Sequence, residues 1–276
     1  MICVFDIETV PDVGLIQKSF PHIQASSELE ICQQAMAEQR EKSGSDFLPL
    51  YYHQVISIAS VIADEHGRFK KVGNFGKNAT KASGELEEVD LLQEFFKFFD
   101  KHQPKLVSFN GRGFDVPVLL LRAMRYNLSV CAYYEQDNIA HNKSKWENYR
   151  QRFSERFHTD LLDSLGHFGM ARNLRLDGVC AMLNIPGKYD MSGDQVYQIY
   201  YDKHQDMAQK RTQIDTYCQS DVLNTYWVYL KYELLKGAIT LSDYMSILEE
   251  FKENLPQNMG YTDVFTHALT QELARA

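Results

Sequence analysis

Ile2-Cys3-Val4-Phe5-Asp6-Ile7-Glu8-Thr9-Val10-Pro11 opens the chain and governs how the rest is read. Four apolar residues lead into two acids spaced two apart, and Pro11 follows. A short apolar run of strand formers predicts a buried strand that Pro11 stops. The side-chain period of two then points Asp6 and Glu8 to one face, with Phe5 and Ile7 on the other. Two like charges at the end of a buried strand cost free energy unless protons or a divalent cation compensate them. At neutral pH a metal is the simpler remedy. The competing reading is a strand end that emerges into water and solvates both acids, and the pair alone leaves both open.

Outward from this strand, residues 12–49 turn polar and rich in Gln and Glu, with an amphipathic helix expected within 26–42 around Leu29, Ile31, Cys32 and Met36. This segment reads as an insertion of about 12–50. Gln54 to Ala63 is strand-like, Asp64-Glu65-His66-Gly67 supplies turn chemistry, and Phe69 to Phe75 can return antiparallel, so three strands form a meander. Leu86, Val89, Leu92, Phe95, Phe96 and Phe99 share one face of a helix over 85–102, a crossover to a second short buried strand over 106–109. Pro117 sits where a first-turn proline is tolerated, and the helix continues to Tyr126. From Asp160 onward the periodic stretches are helical, the longest over 209–235 and another over 242–253. An early mixed sheet followed by helices predicts an α/β or α+β domain with a helical C-terminal part.

Composition narrows the function. The chain has 276 residues with 44% hydrophobic and 24% charged side chains, enough to bury a full core without disulfides or structural metal. No apolar run approaches the roughly 18 residues of a membrane span. The N-terminus lacks a basic region and meets an acid at once, which argues against a signal peptide and for the cytoplasm. The cysteines at 3, 32, 131, 180 and 218 are odd in number and irregularly spaced, so neither a disulfide framework nor a zinc cluster is indicated. A net charge of −8 disfavours a broad grip on duplex DNA, although a local basic patch or a bound cation still allows a polyanion.

Two more stretches carry chemistry. In Leu106-Val107-Ser108-Phe109-Asn110-Gly111-Arg112-Gly113-Phe114-Asp115 an apolar strand delivers a Gly-rich turn and an acid at a helix start. Asp115 is either an N-cap or a metal ligand. Tyr217 and Asp221, at i and i+4 of a long helical pattern, share one face and can enter one pocket. The plainer alternative is a partly buried Tyr with a polar neighbour.

Taken in order, D-x-E on a first strand, N-x-x-x-F-D after a later strand and Y-x-x-x-D on a late helix resemble the three motifs of the DEDD exonuclease superfamily, in its Tyr-containing branch. The chain is similar in particular to the bacterial predicted 3′→5′ exonucleases related to the proofreading domain of family B DNA polymerases. Phe5 to Asp12, Phe157 to Asp163, Ile185-Pro186-Gly187-Lys188, Tyr217 to Thr225 and Phe47-Leu48-Pro49 carry that likeness. It covers most of residues 1–235. The resemblance implies a ribonuclease H-like fold: an α/β mixed sheet of three antiparallel strands plus parallel strands, with flanking helices. It implies an exonuclease domain over 1–235, which leaves 236–276 as a helical extension. It also implies that Asp6, Glu8 and Asp221 hold one divalent cation and that Asp6 bridges to a second, completed by Asp115. Oxygen ligands suit Mg²⁺ or Mn²⁺. Two such ions about 4 Å apart would clamp the attacking and leaving oxygens of a phosphodiester displacement. Tyr217 would orient the attacking water; a phenol with pKa about 10 starts protonated, which favours positioning over general-base action. Glu8 would hold the terminal 3′-hydroxyl, with Thr9, Val10, Asn110 and Phe114 around the terminal nucleotide. The implied partner is the 3′ end of a single strand, DNA before RNA by likeness to proofreading domains, with nucleoside 5′-monophosphates released. An exoribonuclease and a silent binding module are the rivals, the latter disfavoured by retention of all four acids and Tyr217.

Between His141 and His158, Lys143, Lys145, Arg150, Arg152 and Arg156 outnumber Glu147 and Glu155 and alternate with Trp146, Tyr149 and Phe153. Cations with stacking platforms suit a single-strand groove, with Arg150 and Arg152 as backbone contacts. A solvated helix face with its aromatics in the core is the alternative. Lys188 is a candidate phosphate contact or an ordinary turn lysine. His158 and Asp160 are expected to brace and cap a helix from Leu161, with Asp163 completing a capping box. Gly73-Asn74-Phe75-Gly76-Lys77 lacks phosphate-loop spacing.

Overall fold

Apolar side chains on both faces put the first strand at the centre of a sheet. The computed structural model describes residues 1–276 except 189, 190, 192 and 276. Among the described residues the five strands are β1 (Ile2–Pro11), β2 (His53–Ala63), β3 (Phe69–Asn74), β4 (Lys105–Ser108) and β5 (His158–Asp160). The order is β3-β2-β1-β4-β5, antiparallel across β3, β2 and β1 and parallel from β1 through β4 to β5. This is the ribonuclease H-like arrangement expected. β5 has only three residues, too short to show a periodicity.

Pro11 ends β1, as expected. It is the last paired residue, opposite His53, where a missing N–H costs least. The β1–β2 register places Glu8 opposite Ser57 and Thr9 opposite Val55, so Ile56 is an extra residue on β2. Bulges of this kind bend a strand and re-aim its neighbours.

The helices are α1 (Val13–Ser19), α2 (Glu28–Ser43), α3 (Glu88–His102), α4 (Asp115–Arg125), α5 (Cys131–Tyr134), α6 (Leu161–Leu165), α7 (Leu176–Leu183), α8 (Gly193–Tyr201), α9 (Met207–Leu235), α10 (Leu241–Glu253) and α11 (Thr262–Leu273). α3 and α4 cover one face of the sheet, where Phe95, Phe99 and Leu119 meet Cys3, Phe5 and Ile7. α9 covers the other face and packs Val222, Tyr226 and Trp227 with Ile2 and Val4; Phe251 of α10 and Phe265 of α11 join the same core. α11 lies beyond the last helix read from periodicity. The polar segment forms α1 and α2 around its own small core of Ile16, Ile31, Ala35, Leu48 and Tyr52. A buried ion network ties that segment down. Arg122 of α4 binds Asp12 at 2.8 Å and forks onto Glu88 of α3, which also accepts the Val55 N–H beside the bulge. Charges buried this deeply persist only when paired and hydrogen-bonded, so α4 is locked in place relative to β1 and β2.

Candidate active site

β1 and β4 pair only over Ile2–Val4 with Lys105–Val107. Beyond that the two strands part, and the sheet opens at Asp6. Clefts at the carboxyl ends of parallel strands are where such sheets take ligands. The turn of residues 109–114 fills the edge of the gap. A Cβ on Gly111 would lie 2.3 Å from Ser108 Oγ and 2.5 Å from Ser108 Cβ, so this close approach requires glycine, whereas one on Gly113 would only push aside the Asn110 side chain, 2.4 Å away at Oδ1. Asn110 itself has φ 70°. Asp160 accepts the Asn110 and Arg112 N–H groups at 2.9 and 2.7 Å and caps α6 through Leu162 N–H. It therefore braces the turn that delivers Asp115, while His158 bonds Ser108 Oγ at 2.8 Å. Asp163 does not complete a capping box, because its carboxylate turns outward to Arg152 at 2.7 Å.

Asp115 is the first residue of α4 rather than its N-cap. Its Oδ1 accepts the Ile7 N–H at 3.1 Å. Asp6 and Glu8 leave β1 on the α9 side, and oxygens of both lie with Cys218 Sγ within 4.8 Å of one another. The Cys218 thiol donates to the Asp6 carbonyl at 3.6 Å. One turn of α9 separates Tyr217 from Asp221, near enough that each shifts the other's pKa.

The electrostatics are those of acids forced together. Burial first, then Asp115, Glu8 and Asp221, push Asp6 well above the ordinary carboxylate range. Burial, Asp221 and Asp115 raise Glu8 in the same way. Burial lifts Asp115 and Asp221 to about 7 each, the latter against the lowering pull of Tyr217 and Lys188. Burial raises the Tyr217 phenol, and Asp221 and Glu8 add to it, so it stays protonated. The Cys218 thiol is raised likewise by burial, Glu8 and Asp6 and remains neutral, which leaves a donor set of hard carboxylate oxygens. That set fits Mg²⁺ or Mn²⁺ and not a thiolate-bound metal.

Thr9 donates to His53 Nδ1 at 2.9 Å. Val10 is fully buried beneath Tyr217, in a cluster with Ile56 and Val196. Phe114 meets the rings of Phe47 and His53. Lys188 pairs with Asp177 at 3.3 Å and its charge reaches Glu8 and Asp221. The turn before it is held by Asn224 of α9, whose side chain accepts Gly187 N–H at 3.1 Å and donates to Gly187 O at 2.7 Å. Asn224 carries no functional signal in isolation, since its role needs a partner 37 residues away. The basic aromatic stretch is a loop rather than a helix face. Tyr149 is fully buried and Lys143 is spent on Ala132 O and Glu135, whereas Trp146 and Phe153 stand exposed. Arg150 lies over the Tyr134 ring, and with Arg152 and Arg172 it borders a groove of about 950 Å³ that begins at Asn110 and Gly113.

A family model described as a predicted 3′-5′ exonuclease related to the exonuclease domain of PolB matches residues 45–269. The structure of the family B DNA polymerase from the hyperthermophilic archaeon Pyrobaculum calidifontis is similar over 97% of this chain, at 14% identity and a TM-score of 0.46, and the chain spans 26% of that polymerase's length. No curated protein matches the chain. With more than four-fifths of its residues inside the family model, the chain belongs to the predicted 3′-5′ exonucleases related to the exonuclease domain of PolB.

Proposed function

We propose that the protein is a divalent-metal-dependent exonuclease that removes nucleoside 5′-monophosphates from single-stranded 3′ ends, with DNA as the preferred substrate. One observation carries the reading: four carboxylates from β1, α4 and α9 are buried together with their pKa values raised, and Asp115 and Asp221 push Asp6 and Glu8 up further, an arrangement that cations relieve. Asp6, Glu8, Asp115 and Asp221 would hold two such ions. When bound, they supply positive charge to the phosphate and lower the pKa of the attacking water. Tyr217, protonated throughout, orients that water through its hydroxyl, and Glu8 accepts a hydrogen bond from the terminal 3′-hydroxyl. Lys188 offsets charge on the phosphate. Asn110 shapes the turn, and Thr9, Phe114 and the underlying Val10 form the wall beside the terminal nucleotide.

Arg150 and Arg152, on the groove that leads away from Asn110, would hold upstream phosphates. The family's relation to a DNA polymerase domain favours DNA over RNA. The catalytic domain is residues 1–235, and residues 236–275 brace it, since Tyr261 donates to Gln219 at 2.6 Å, two residues from Tyr217. Among the described residues, no helix is long and apolar enough to cross a membrane. All five cysteines are free, which supports a reducing cytoplasm.

The test uses 3′-labelled and 5′-labelled strands, as DNA and as RNA, with Mg²⁺, Mn²⁺ or EDTA. Stepwise loss from the 3′ end that stops in EDTA is expected. Retention of the strand without cleavage in either metal would mean a binding module instead.

A further inference from the structure

Phe47 is 55% exposed, yet its ring is held by two others. His53 lies at 4.9 Å and Phe114 at 5.5 Å between centroids, and those two meet at 5.1 Å. Scattered surface apolar residues are ordinary, but a phenylalanine fixed by two rings offers its outer face to solvent in one orientation. The trio is tied along the backbone to two of the carboxylates. Phe114 directly precedes Asp115, and Thr9, which directly follows Glu8, bonds the same His53. Burial lowers the His53 pKa, so the ring is neutral. Its Nε2 is 3.0 Å from the Leu48 carbonyl, which only accepts, so Nε2 carries the proton and Nδ1 accepts from the Thr9 hydroxyl. This relay fastens the segment carrying Phe47 to β1 beside Glu8.

We propose that Phe47, backed by Phe114, is a stacking platform for the terminal base of a nucleic acid strand whose last phosphodiester lies at the carboxylates. The inference rests on the exonuclease reading and adds to it a substrate-recognising residue from the polar segment between β1 and β2. A flat aromatic face suits every base, so the platform grips the terminus without reading sequence. His53 is the fixed backing and does not touch the strand.

Two measurements test it. In the first, kcat/KM is compared for strands ending in a normal 3′ nucleotide and in an abasic one. Wild type should favour the normal end about 10-fold, on the scale of one base–aromatic stack. Phe47→Ala should lose that factor on the normal end and nothing on the abasic end, while Phe47→Trp keeps it. Equal losses on both ends, or undiminished discrimination in Phe47→Ala, would overturn the platform. The second measures the fluorescence of a 3′-terminal 2-aminopurine bound in Ca²⁺. Quenching by wild type that disappears in Phe47→Ala supports the platform even if no strand is cleaved, in which case it is the exonuclease reading that fails. Binding without quenching would overturn the platform alone.

Discussion

The Ile7 N–H donates to Asp115 Oδ1 at 3.1 Å across 108 positions of sequence. Beyond Val4, β1 has no β4 partner, and this carboxylate takes the place of a ladder acceptor. A buried backbone N–H left without a partner costs about 1–3 kcal/mol. Asp115 thus closes the sheet at the point where β1 and β4 part, and its position is set by the strand that carries Asp6 and Glu8.

The first prediction separates those two duties. Asp115→Asn retains an oxygen acceptor for Ile7, so the variant should fold normally and lose more than about 10²-fold in turnover, as removal of several kcal/mol of metal-derived stabilisation requires. Asp115→Ala should lose the same activity and be less stable by about 1–3 kcal/mol in urea melts. Asp6→Asn, Glu8→Gln and Asp221→Asn should be inactive but folded. Wild-type turnover in any of them removes that residue from the site.

The second concerns pH. Asp115 and Asp221 stand at about 7 in the fold, against about 3.9 for an unfolded Asp. A folded pKa above the unfolded one gives stability that is complete below about pH 4 and lost as pH rises through 7. In EDTA the melting temperature should therefore fall between pH 5 and pH 8, by on the order of 10 °C at about 2–4 °C per kcal/mol. Mg²⁺ at pH 8 should restore it, and Asp221→Asn should flatten the profile. A metal-free melting temperature that rises over this window would contradict the mutual repulsion of the acids.

Much of the site is legible in the sequence because its parts are local. The D-x-E face follows from the strand period of two, the pairing of Tyr217 with Asp221 from the helical turn, and the glycines before Asp115 from the turn they permit. What joins them is not local. The role of Asp115 toward Ile7 depends on where β4 stops pairing, and the grip of Asn224 on Gly187 depends on how α9 crosses the chain. Asp163 satisfies a capping pattern, yet an arginine 11 residues away competes successfully for it. Burial likewise decides the basic stretch: Lys143 and Arg150 look alike in sequence, and only the fold buries the first.

The third prediction is that Tyr217→Phe lowers kcat and leaves KM and cation affinity near wild type. The hydroxyl is held protonated by burial and by Asp221 and Glu8, so in the proposed reaction it would orient the water rather than accept a proton. The decrease should stay below about 10²-fold, where proton-transfer catalysis begins. Single-turnover rates identical to wild type would make Tyr217 a packing residue over Val10.

Arg150→Gln and Arg152→Gln should weaken binding of long single strands and reduce the slope of log affinity against log salt by roughly 0.7 for each phosphate left without its arginine. Neutral substitution is the cleaner choice, because reversing Arg152 would set a second acid against Asp163. Hydrolysis of a dinucleotide should be nearly unaffected. Equal damage to long and minimal substrates would make the arginines structural.

The last prediction is end polarity. Glu8 is buried within the fields of Asp221 and Asp115, so the proposed pocket would suit a neutral hydroxyl and repel a second phosphate. A strand with a free 3′-hydroxyl should be trimmed, and its 3′-phosphate counterpart should resist. Paired ends must fray first, at about 1.4 kcal/mol per base step, so a blunt duplex should be cut roughly tenfold more slowly than a frayed or single-stranded end for each step that must open. A net charge of −8 does little to hold a second strand against that cost. Incubating the 3′-hydroxyl strand, the 3′-phosphate strand and a covalently closed circle side by side separates the outcomes. Rapid cutting of the circle would show that the cleft admits an internal phosphodiester, and the protein would then be an endonuclease whose Glu8 has no terminal hydroxyl to hold.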